Sequence, residues 1–262
     1  ILSNYSSTVA VDNDGVVWLG HNENGEFLGI SSFDGSVWKT YTAADTGGVL
    51  SGVICSLGVD ANNVKWFGMT TRLCSFDGKT WARHEIQYVN DMTLDSNGML
   101  WAAAGSMPSG ALLPVYSFSS YDGKAWTAYP LDTKLERPIL GYLRVRIDAD
   151  GTIWFVTAEG FYGVYSLHSY IGATMKTYHT DGPLSYYFGG IAIDSMNRKW
   201  FATEYGVSCF DGKSWVNHLF TLTADDVSPN ANLRNLNYYV NRIDEILVDR
   251  ENVVWISLCD GN

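Results

Sequence analysis

The sequence is poor in charge, proline and cysteine. Only 17% of its 262 residues are Asp, Glu, Lys or Arg, below the roughly 25% usual for soluble domains. Basic residues are the scarcer kind: 17 Lys and Arg face 28 acids, a net charge of −11. Phosphate backbones attract basic surfaces, so nucleic acid is not the expected partner. Cys55, Cys74, Cys209 and Cys259 show no CxxC spacing. They are too sparse for a disulfide framework and read as isolated buried thiols, which leaves the compartment undecided. No apolar run approaches the ~18 residues of a membrane span, so no membrane insertion by this segment is expected. No signal peptide is visible at Ile1 and there is no initiator Met. A processed or excised piece is therefore expected. No GxSxG, HExxH or phosphate-cradling glycine loop is present, and no motif calls for a cofactor or a metal.

What is present favours strands. Apolar residues make up 46%, too many for disorder. Ten Trp, sixteen Tyr, eleven Phe and 26 Gly suit strands joined by turns. One pattern recurs six times: VDNDGVVWLG from Val11, VDANNVKWFG from Val59, LDSNGMLWAA from Leu94, IDADGTIWFV from Ile147, IDSMNRKWFA from Ile193 and VDRENVVWIS from Val248. Each copy places Asp six residues before Trp, and the mean period is about 47 residues. A second pattern falls between copies: SSFDGSVWKTY from Ser31, CSFDGKTWARH from Cys74, SSYDGKAWTAY from Ser119 and SCFDGKSWVNH from Ser208. HSYIGATMKTY from His168 is a degenerate copy, with Ile171 for Asp and Met175 for Trp.

Each pattern reads as a β-hairpin, apolar alternation on both sides of a tight polar turn. Two hairpins make a four-stranded unit, A-B-C-D, that cannot bury both faces alone. Radial stacking of such units is the β-propeller solution. The expected fold is therefore all-β, a single propeller domain over 1–262 with four-stranded antiparallel blades. Its repeats fall near 8–41, 53–84, 90–129, 143–178, 190–218 and 243–262. Six blades are expected, and a fragment of a seven-bladed propeller is the rival. Residues 1–5 match the WxxY of strand D, with Leu2 for Trp and Tyr5 for Tyr, and are expected to close the sixth blade. The strand B Trp is expected between blades and the strand D aromatic on the outer part of its blade.

VDxxGxxWxG followed by FDGKxWxxY resembles the two-component regulator propeller repeat. That repeat occurs in extracytoplasmic sensor regions of bacterial hybrid sensor kinases and in other secreted bacterial propellers. The resemblance covers nearly the whole chain. It implies a sensor-type propeller, periplasmic or extracellular, with glycan fragments as a ligand class for some members. No kinase, receiver or helical linker pattern accompanies it here. The spacing in FDGKSW does not fit a sialidase Asp-box, and the Gly-His and Trp-Asp marks of WD40 repeats are absent.

The A–B and C–D turns read as short, the D–A and B–C connections as long and variable, with all six prolines in the long ones. Binding residues sit on loops held by a rigid scaffold. A pocket is expected at the channel mouth on the long-loop face. Its candidates are Arg72, Glu159, Tyr162 and Glu204 from B–C loops, Tyr142 and Arg144 near the Glu136-Arg137 segment, Tyr187 after Asp181-Gly182-Pro183, and Arg234, Tyr238 and Tyr239 between Leu219 and Asn241. Aromatics beside Arg and acids suit a sugar or another neutral polar ligand. The leading reading is a non-enzymatic binding or sensing propeller for a small molecule, glycan or protein partner. A propeller hydrolase or lyase using Glu159, Glu204, His21 and His179 is the second reading, and a structural interaction scaffold the third. Asp12-Asn13-Asp14-Gly15 resembles the start of a calcium loop, but sister copies such as DANN and DSMN lack the second acid, so it is dispensable and a turn-capping Asp is the better reading.

Overall fold

A computed structural model describes residues 1–3, 6–95, 97–106, 115–130, 139–159, 164–172, 174–178, 188–219 and 243–258. The chain divides into two compact units, Ile1–Pro138 and Ile139–Asn262. Unit 1 holds three four-stranded antiparallel meanders. The first is β1 (Thr8–Val11), β2 (Val17–Glu23), β3 (Glu26–Phe33) and β4 (Trp38–Tyr41); the second is β5 (Ile54–Val59), β6 (Lys65–Met69), β7 (Leu73–Phe76) and β8 (Trp81–His84). The third is β9 (Gln87–Leu94), β10 (Leu100–Ser106), β11 (Val115–Tyr121) and β12 (Trp126–Pro130). Unit 2 holds a fourth, β13 (Ile139–Ile147), β14 (Ile153–Glu159), β15 (Val164–Ile171) and β16 (Thr174–Tyr178). A fifth follows, β17 (Phe188–Ile193), β18 (Lys199–Thr203), β19 (Gly206–Phe210) and β20 (Trp215–Leu219), then a two-stranded sheet, β21 (Ile243–Val248) and β22 (Val254–Leu258). Sequence-consecutive strands pair in every sheet, so each repeat is one blade-like meander.

The repeated Asp builds the A–B turn. In all six copies one carboxylate oxygen accepts the backbone N–H groups two and four residues on, and the other accepts the indole N–H of the Trp six residues on. Asp148 is typical, with Asp150 N at 3.0 Å, Thr152 N at 2.9 Å and Trp154 Nε1 at 2.9 Å. The turn puts its fourth residue in the left-handed region, φ +61° to +81°, and only Gly or Asn stands there: Gly15, Asn63, Gly98, Gly151, Asn197 and Asn252. The C–D turn uses its own Asp. Asp77 Oδ1 accepts Lys79 N at 2.8 Å and Thr80 N at 2.7 Å, and Asp34, Asp122 and Asp211 repeat the pattern. The aromatic before that Asp pairs in register with the strand D Trp and stacks on it, at 4.5 Å for Phe76–Trp81. The degenerate copy keeps this register with Tyr170 opposite Met175.

The core lies between consecutive sheets. Trp18, Phe67 and Phe76 join sheets one and two, Trp66, Leu73 and Leu100 join two and three, and Trp154, Phe201 and Phe210 join four and five. In the five four-stranded sheets the strand B Trp also meets the strand D aromatic of its own sheet: Trp18 stacks on Tyr41 and Trp154 on Tyr178. His84 and His218 take that Tyr position and lie against Trp66 and Trp200. The strand D Trp reaches further than its expected outer place, since Trp81 packs on Tyr41 and Trp126 on Trp66 of the preceding sheets.

Polar residues stitch the same boundaries. Asn63 Oδ1 accepts Asn13 N at 2.9 Å and its Nδ2 donates to Asp14 Oδ2 at 2.7 Å. Asn197 repeats this with Ala149 N at 2.9 Å and Asp150 Oδ2 at 2.8 Å, and Asn252 takes Ser195 N at 3.0 Å. Beneath the turns, buried Lys65 Nζ lies 3.3 Å from Asp12 Oδ2, and buried Lys199 Nζ lies 2.8 Å from Asp148 Oδ2. Each ammonium also stands over the preceding sheet's Trp. Where the following sheet has Val254 at the Lys position, Asp194 pairs with Arg198 of its own turn at 2.6 Å. Burial alone would push the Asp12, Asp148 and Asp194 carboxyls up. Donation from Trp, backbone and cation overrides it and holds all three below the ordinary carboxylate range.

Three expectations change. The B–C connections are not uniformly long: β2–β3 turns on Asn24-Gly25, β6–β7 on Thr70–Arg72 and β18–β19 on Glu204-Tyr205. Strands B and C lengthen or shorten to meet, so the loop budget read from sequence spacing overstates these connections. Pro130 is the last residue of β12, on the sheet edge, where its missing N–H costs no ladder bond. Residues 1–3 form no strand; Leu2 N donates to Ser31 Oγ at 3.2 Å. The rest of the expected closing strand, Asn4 and Tyr5, lies outside the described residues. Cys74 and Cys209 are buried free thiols, pushed up to about 11 by burial, and Cys55 is half-buried, its Sγ donating to the Val53 carbonyl at 3.7 Å.

Asp148→Ala strips Lys199 of its counter-ion inside the fold and leaves the Trp154 indole without an acceptor. Urea unfolding is expected to show a loss of about 3–5 kcal/mol, against a smaller loss for Asp249→Ala, whose carboxylate is half-buried and has no Lys partner. These depressed carboxyls stabilise fully above the unfolded value near about pH 4 and lose that contribution as pH falls through the folded value. Wild-type stability measured by urea midpoint is therefore expected to drop below about pH 4, and Asp148→Asn to show a shallower drop. The Asn stitch is tested by a pair of variants. Asn197→Gly keeps the backbone but removes two side-chain bonds, about 1 kcal/mol at an exposed site. Asn197→Ala adds the left-handed penalty, about 1–2 kcal/mol more, in the same titration.

Candidate functional site

The strand A residue four positions before each turn Asp is Thr8, Ser56 or Asp91 in unit 1 and Arg144, Gly190 or Glu245 in unit 2. Every strand A after the first loses regular register against strand B at or just before this position; in β17 Gly190 lies within the shift between Phe188 and Ile191. In β5 Cys55 is extra between the Ile54–Met69 and Ser56–Gly68 pairs, and in β21 Asp244 is extra between Ile243–Leu258 and Glu245–Ser257. A bulge re-aims the side chain beside it and is typical of functional edges. In unit 1 Thr8 is half-buried, Asp91 is buried with its carboxylate on Met92 N at 2.9 Å, and Ser56 Oγ is buried without a hydrogen-bond partner.

In unit 2 two of the three, Arg144 and Glu245, are half-exposed and charged, and Gly190 between them is buried. Arg144 extends from β13 over β17, where its Nε donates to the Gly189 carbonyl at 3.1 Å. Its Nη2 stands 3.8 Å from Glu245 Oε2 on β21. The Arg144 side chain keeps 28% of its exposure and Glu245 46%. Three adjacent A strands thus present a guanidinium and a carboxylate side by side, with Gly190 between them. A Cβ on Gly190 would stand 2.5 Å from Glu245 Oε1 and 3.2 Å from Ile246 N, so the close approach of β17 and β21 requires glycine there. The Nε bond fixes the direction of the guanidinium. The pairing is loose at 3.8 Å, and Glu245 Oε1 also accepts Ile246 N at 3.4 Å; a guanidinium can donate to a ligand oxygen and a carboxylate can accept from a hydroxyl or amine.

Of the sequence candidates, Arg144 is therefore placed in such a group. Glu245 and the Gly189 carbonyl were not among them. Aligning the repeats four residues upstream of each turn Asp would have raised Glu245, since it shares the register of Arg144. Tyr142 lies in β13 and Glu159 ends β14. Arg72 is half-buried in the β6–β7 connection of unit 1, and its carbonyl accepts Met69 N. Glu204 is half-buried in the β18–β19 turn beside exposed Tyr205, and no hydrogen bond or ion pair joins it to Arg144 or Glu245 among the described residues. Tyr162, Tyr187, Arg234, Tyr238 and Tyr239 lie outside the described residues, as does His179. His21, a candidate for the enzyme reading, is wholly buried in β2 with Nε2 3.0 Å from Ser31 Oγ.

No family model matches the chain, and no curated protein matches it significantly in sequence. Solved structures do. PorZ, a bacterial surface component of the type-IX secretion system of Porphyromonas gingivalis, superposes with a TM-score of 0.63 at 15% identity, over 93% of this chain and 38% of that one. Virginiamycin B lyase from Staphylococcus aureus gives 0.62 at 14%, over 98% and 86%. The extracellular domain of a hybrid two-component system protein from B. thetaiotaomicron gives 0.52 at 15%, over 98% and 39%. The chain is a β-propeller. Its six sheets, five complete meanders and one pair, correspond one to one with the six repeats, and the two-component neighbour agrees with the resemblance of the repeat itself. At these identities the likeness carries the propeller fold, and chemistry must come from the site.

Gly190→Ala is expected to force Glu245 off Arg144 and part β17 from β21. The loss is about 1–3 kcal/mol, or roughly 2–12 °C in Tm for a chain of this size, checked by differential scanning calorimetry.

Proposed function

We propose that this propeller is a non-enzymatic binding module of the sensor type. It takes a small polar ligand, a glycan fragment foremost, at the strand A face that carries Arg144 and Glu245. The observation that carries this reading is the Arg144–Glu245 pair itself. The turn aspartates and the buried lysines are spent on turns and sheet boundaries, whereas this pair is loose, solvent-facing and aimed by a backbone carbonyl. Adjacent donor and acceptor groups fit neighbouring hydroxyls of a sugar, one accepting and one donating. The tyrosine-rich candidate segments support it by connectivity. Tyr142 stands two residues before Arg144, Tyr187 two before Gly189, and Tyr238 and Tyr239 lead towards β21. Aromatic rings there would cover the C–H faces of a bound sugar. The fold neighbours that are an extracellular sensor domain and a bacterial surface component support a place outside the cytoplasm. The chain spans only 39% and 38% of those two chains, so signal output would belong to other parts of such a protein.

A thermal-shift screen against glycan fragments tests this. A ligand at 100 times its Kd stabilises the fold by about 2.7 kcal/mol. The shift is expected to vanish in Arg144→Ala and to shrink in Glu245→Gln. No shift with any fragment, or an equal shift in Arg144→Ala, overturns the reading.

A further inference from the structure

The turns of this repeat carry a latent reaction. In an Asp-Gly or Asn-Gly step the glycine amide nitrogen, after losing its proton, can attack the side-chain carbonyl carbon and close a succinimide. Asn expels ammonia in that step and Asp expels water. Water then reopens the ring at either carbonyl and leaves aspartate or isoaspartate, whose main chain is one methylene longer. The reaction needs a free glycine N–H and an unheld side chain. Six described turns hold Asp-Gly, at Asp14, Asp34, Asp77, Asp122, Asp150 and Asp211, and all six are held. Gly15 N donates to the Asp12 carbonyl at 3.0 Å and Gly151 N to the Asp148 carbonyl at 2.9 Å, while Asp14 and Asp150 accept Asn63 and Asn197. In the C–D turns two backbone N–H groups bind each carboxylate and hold it below the ordinary range, Asp34 down to about 2. An ionised carboxylate is a poor electrophile, so these steps are quiet.

Asn-Gly occurs twice, at Asn24-Gly25 and Asn97-Gly98, and the two differ. Asn97-Gly98 lies in an A–B turn: Gly98 N donates to the Asp95 carbonyl at 3.0 Å and Asn97 N to Asp95 Oδ1 at 2.9 Å. Asn24-Gly25 is the whole of the β2–β3 turn. Both residues are exposed and left-handed, φ +52° and +77°, as a type I′ turn requires. Among the described residues Gly25 N–H meets no acceptor and the Asn24 side chain makes no hydrogen bond. We propose that Asn24-Gly25 is a modification site, converting spontaneously through a succinimide to isoaspartate in the folded protein, and that the conversion releases the clasp Asn22 holds on β5. That clasp starts two residues from the turn. Asn22 Nδ2 donates to the Ile54 carbonyl at 2.7 Å and its Oδ1 accepts Ile54 N at 3.0 Å, which ties sheet one to sheet two. The longer isoaspartyl backbone does not fit a two-residue loop, and the ladder already shifts between His21 and Asn22. The tip is thus the separable end of the hairpin. The new carboxylate also falls between exposed Glu23 and Glu26. Nothing in this depends on Arg144 or on ligand binding.

The test ages the folded 262-residue protein in mildly alkaline buffer and follows it by mass-spectrometric peptide mapping, with electron-transfer fragmentation to tell isoaspartate from aspartate. A gain of about 1 Da is expected at Asn24. Its rate should exceed that at Asn97 about tenfold or more, because the Asn97 turn must open first. In urea the two rates should converge, which shows that the fold and not the flanking sequence sets the difference. Hydrogen exchange at the Ile54 amide reads the clasp. Aged wild type is expected to lose protection there. Asn24→Gly keeps a left-handed turn without a side chain to react, and should keep that protection after the same ageing. Equal rates at Asn24 and Asn97 in the folded protein, or faster conversion at Asn97, overturn the assignment of the site. Unchanged Ile54 protection in converted protein, or equal loss in aged Asn24→Gly, overturns the release of the clasp.

Discussion

The interaction on which the rest of this molecule depends is the bond between one Asp carboxylate and the indole six residues later. A carboxylate at a dry boundary between sheets costs several kcal/mol unless its lone pairs are filled. Here two backbone N–H groups and an indole N–H fill them, in a turn that presents all three from one seven-residue segment. The bond does two things at once. It closes the A–B hairpin, and it sets the plane of the Trp that the next sheet packs against. A mispositioned turn would therefore also misplace the largest side chain of the boundary.

The buried negative charge then shapes the neighbouring sequence. Two of these carboxylates receive an ammonium from the following sheet, and each ammonium also lies over the preceding sheet's Trp. Where Val254 removes that possibility, Arg198 supplies the positive charge from within the turn. The compensation is local but the choice of donor depends on the adjoining repeat, so repeats that look interchangeable are matched to their neighbours. The Asn in the left-handed position carries the same message at the surface. It satisfies a backbone requirement that Gly also meets, and as Asn it reaches the preceding turn as well.

Much of this was legible in the sequence. The Asp-to-Trp spacing and the FDG hairpin predicted the four-stranded units, and the degenerate Tyr170–Met175 copy holds the register of its siblings. The length of the B–C connections was not legible, because strands of a meander extend until their ladder ends and a loop has no residue type that marks where that is. Asn63 and Asn197 read as turn residues, since a lateral partner about 48 residues away in sequence leaves no local trace. The buried ion pairs of Lys65 and Lys199 leave no local trace for the same reason. At the site, Arg144 was legible as a charged residue beside the Glu136-Arg137 segment, but Glu245 sits in a segment whose strand boundaries depend on the ladder. Its partner became visible only when the A strands were laid side by side.

That contrast bears on how such a scaffold can carry function without losing its fold. The side chains that close turns and boundaries sit at fixed distances from the turn Asp and tolerate little change. The fourth residue upstream is different. In four of the six A strands it is the last residue of the regular ladder beside a bulge, in β17 it lies within the irregular stretch itself, and the six copies hold Thr, Ser, Asp, Arg, Gly and Glu. A position where the ladder is already interrupted makes few demands on its side chain, so charge can be placed there at little cost to the sheet. Glycine at one copy and opposite charges at the two flanking it are then a coherent set: the small residue lets the A strands approach, and the approach brings the guanidinium within reach of the carboxylate. The regular part of the repeat explains why the protein folds as it does, and the irregular residue in each strand A is where its chemistry could diversify.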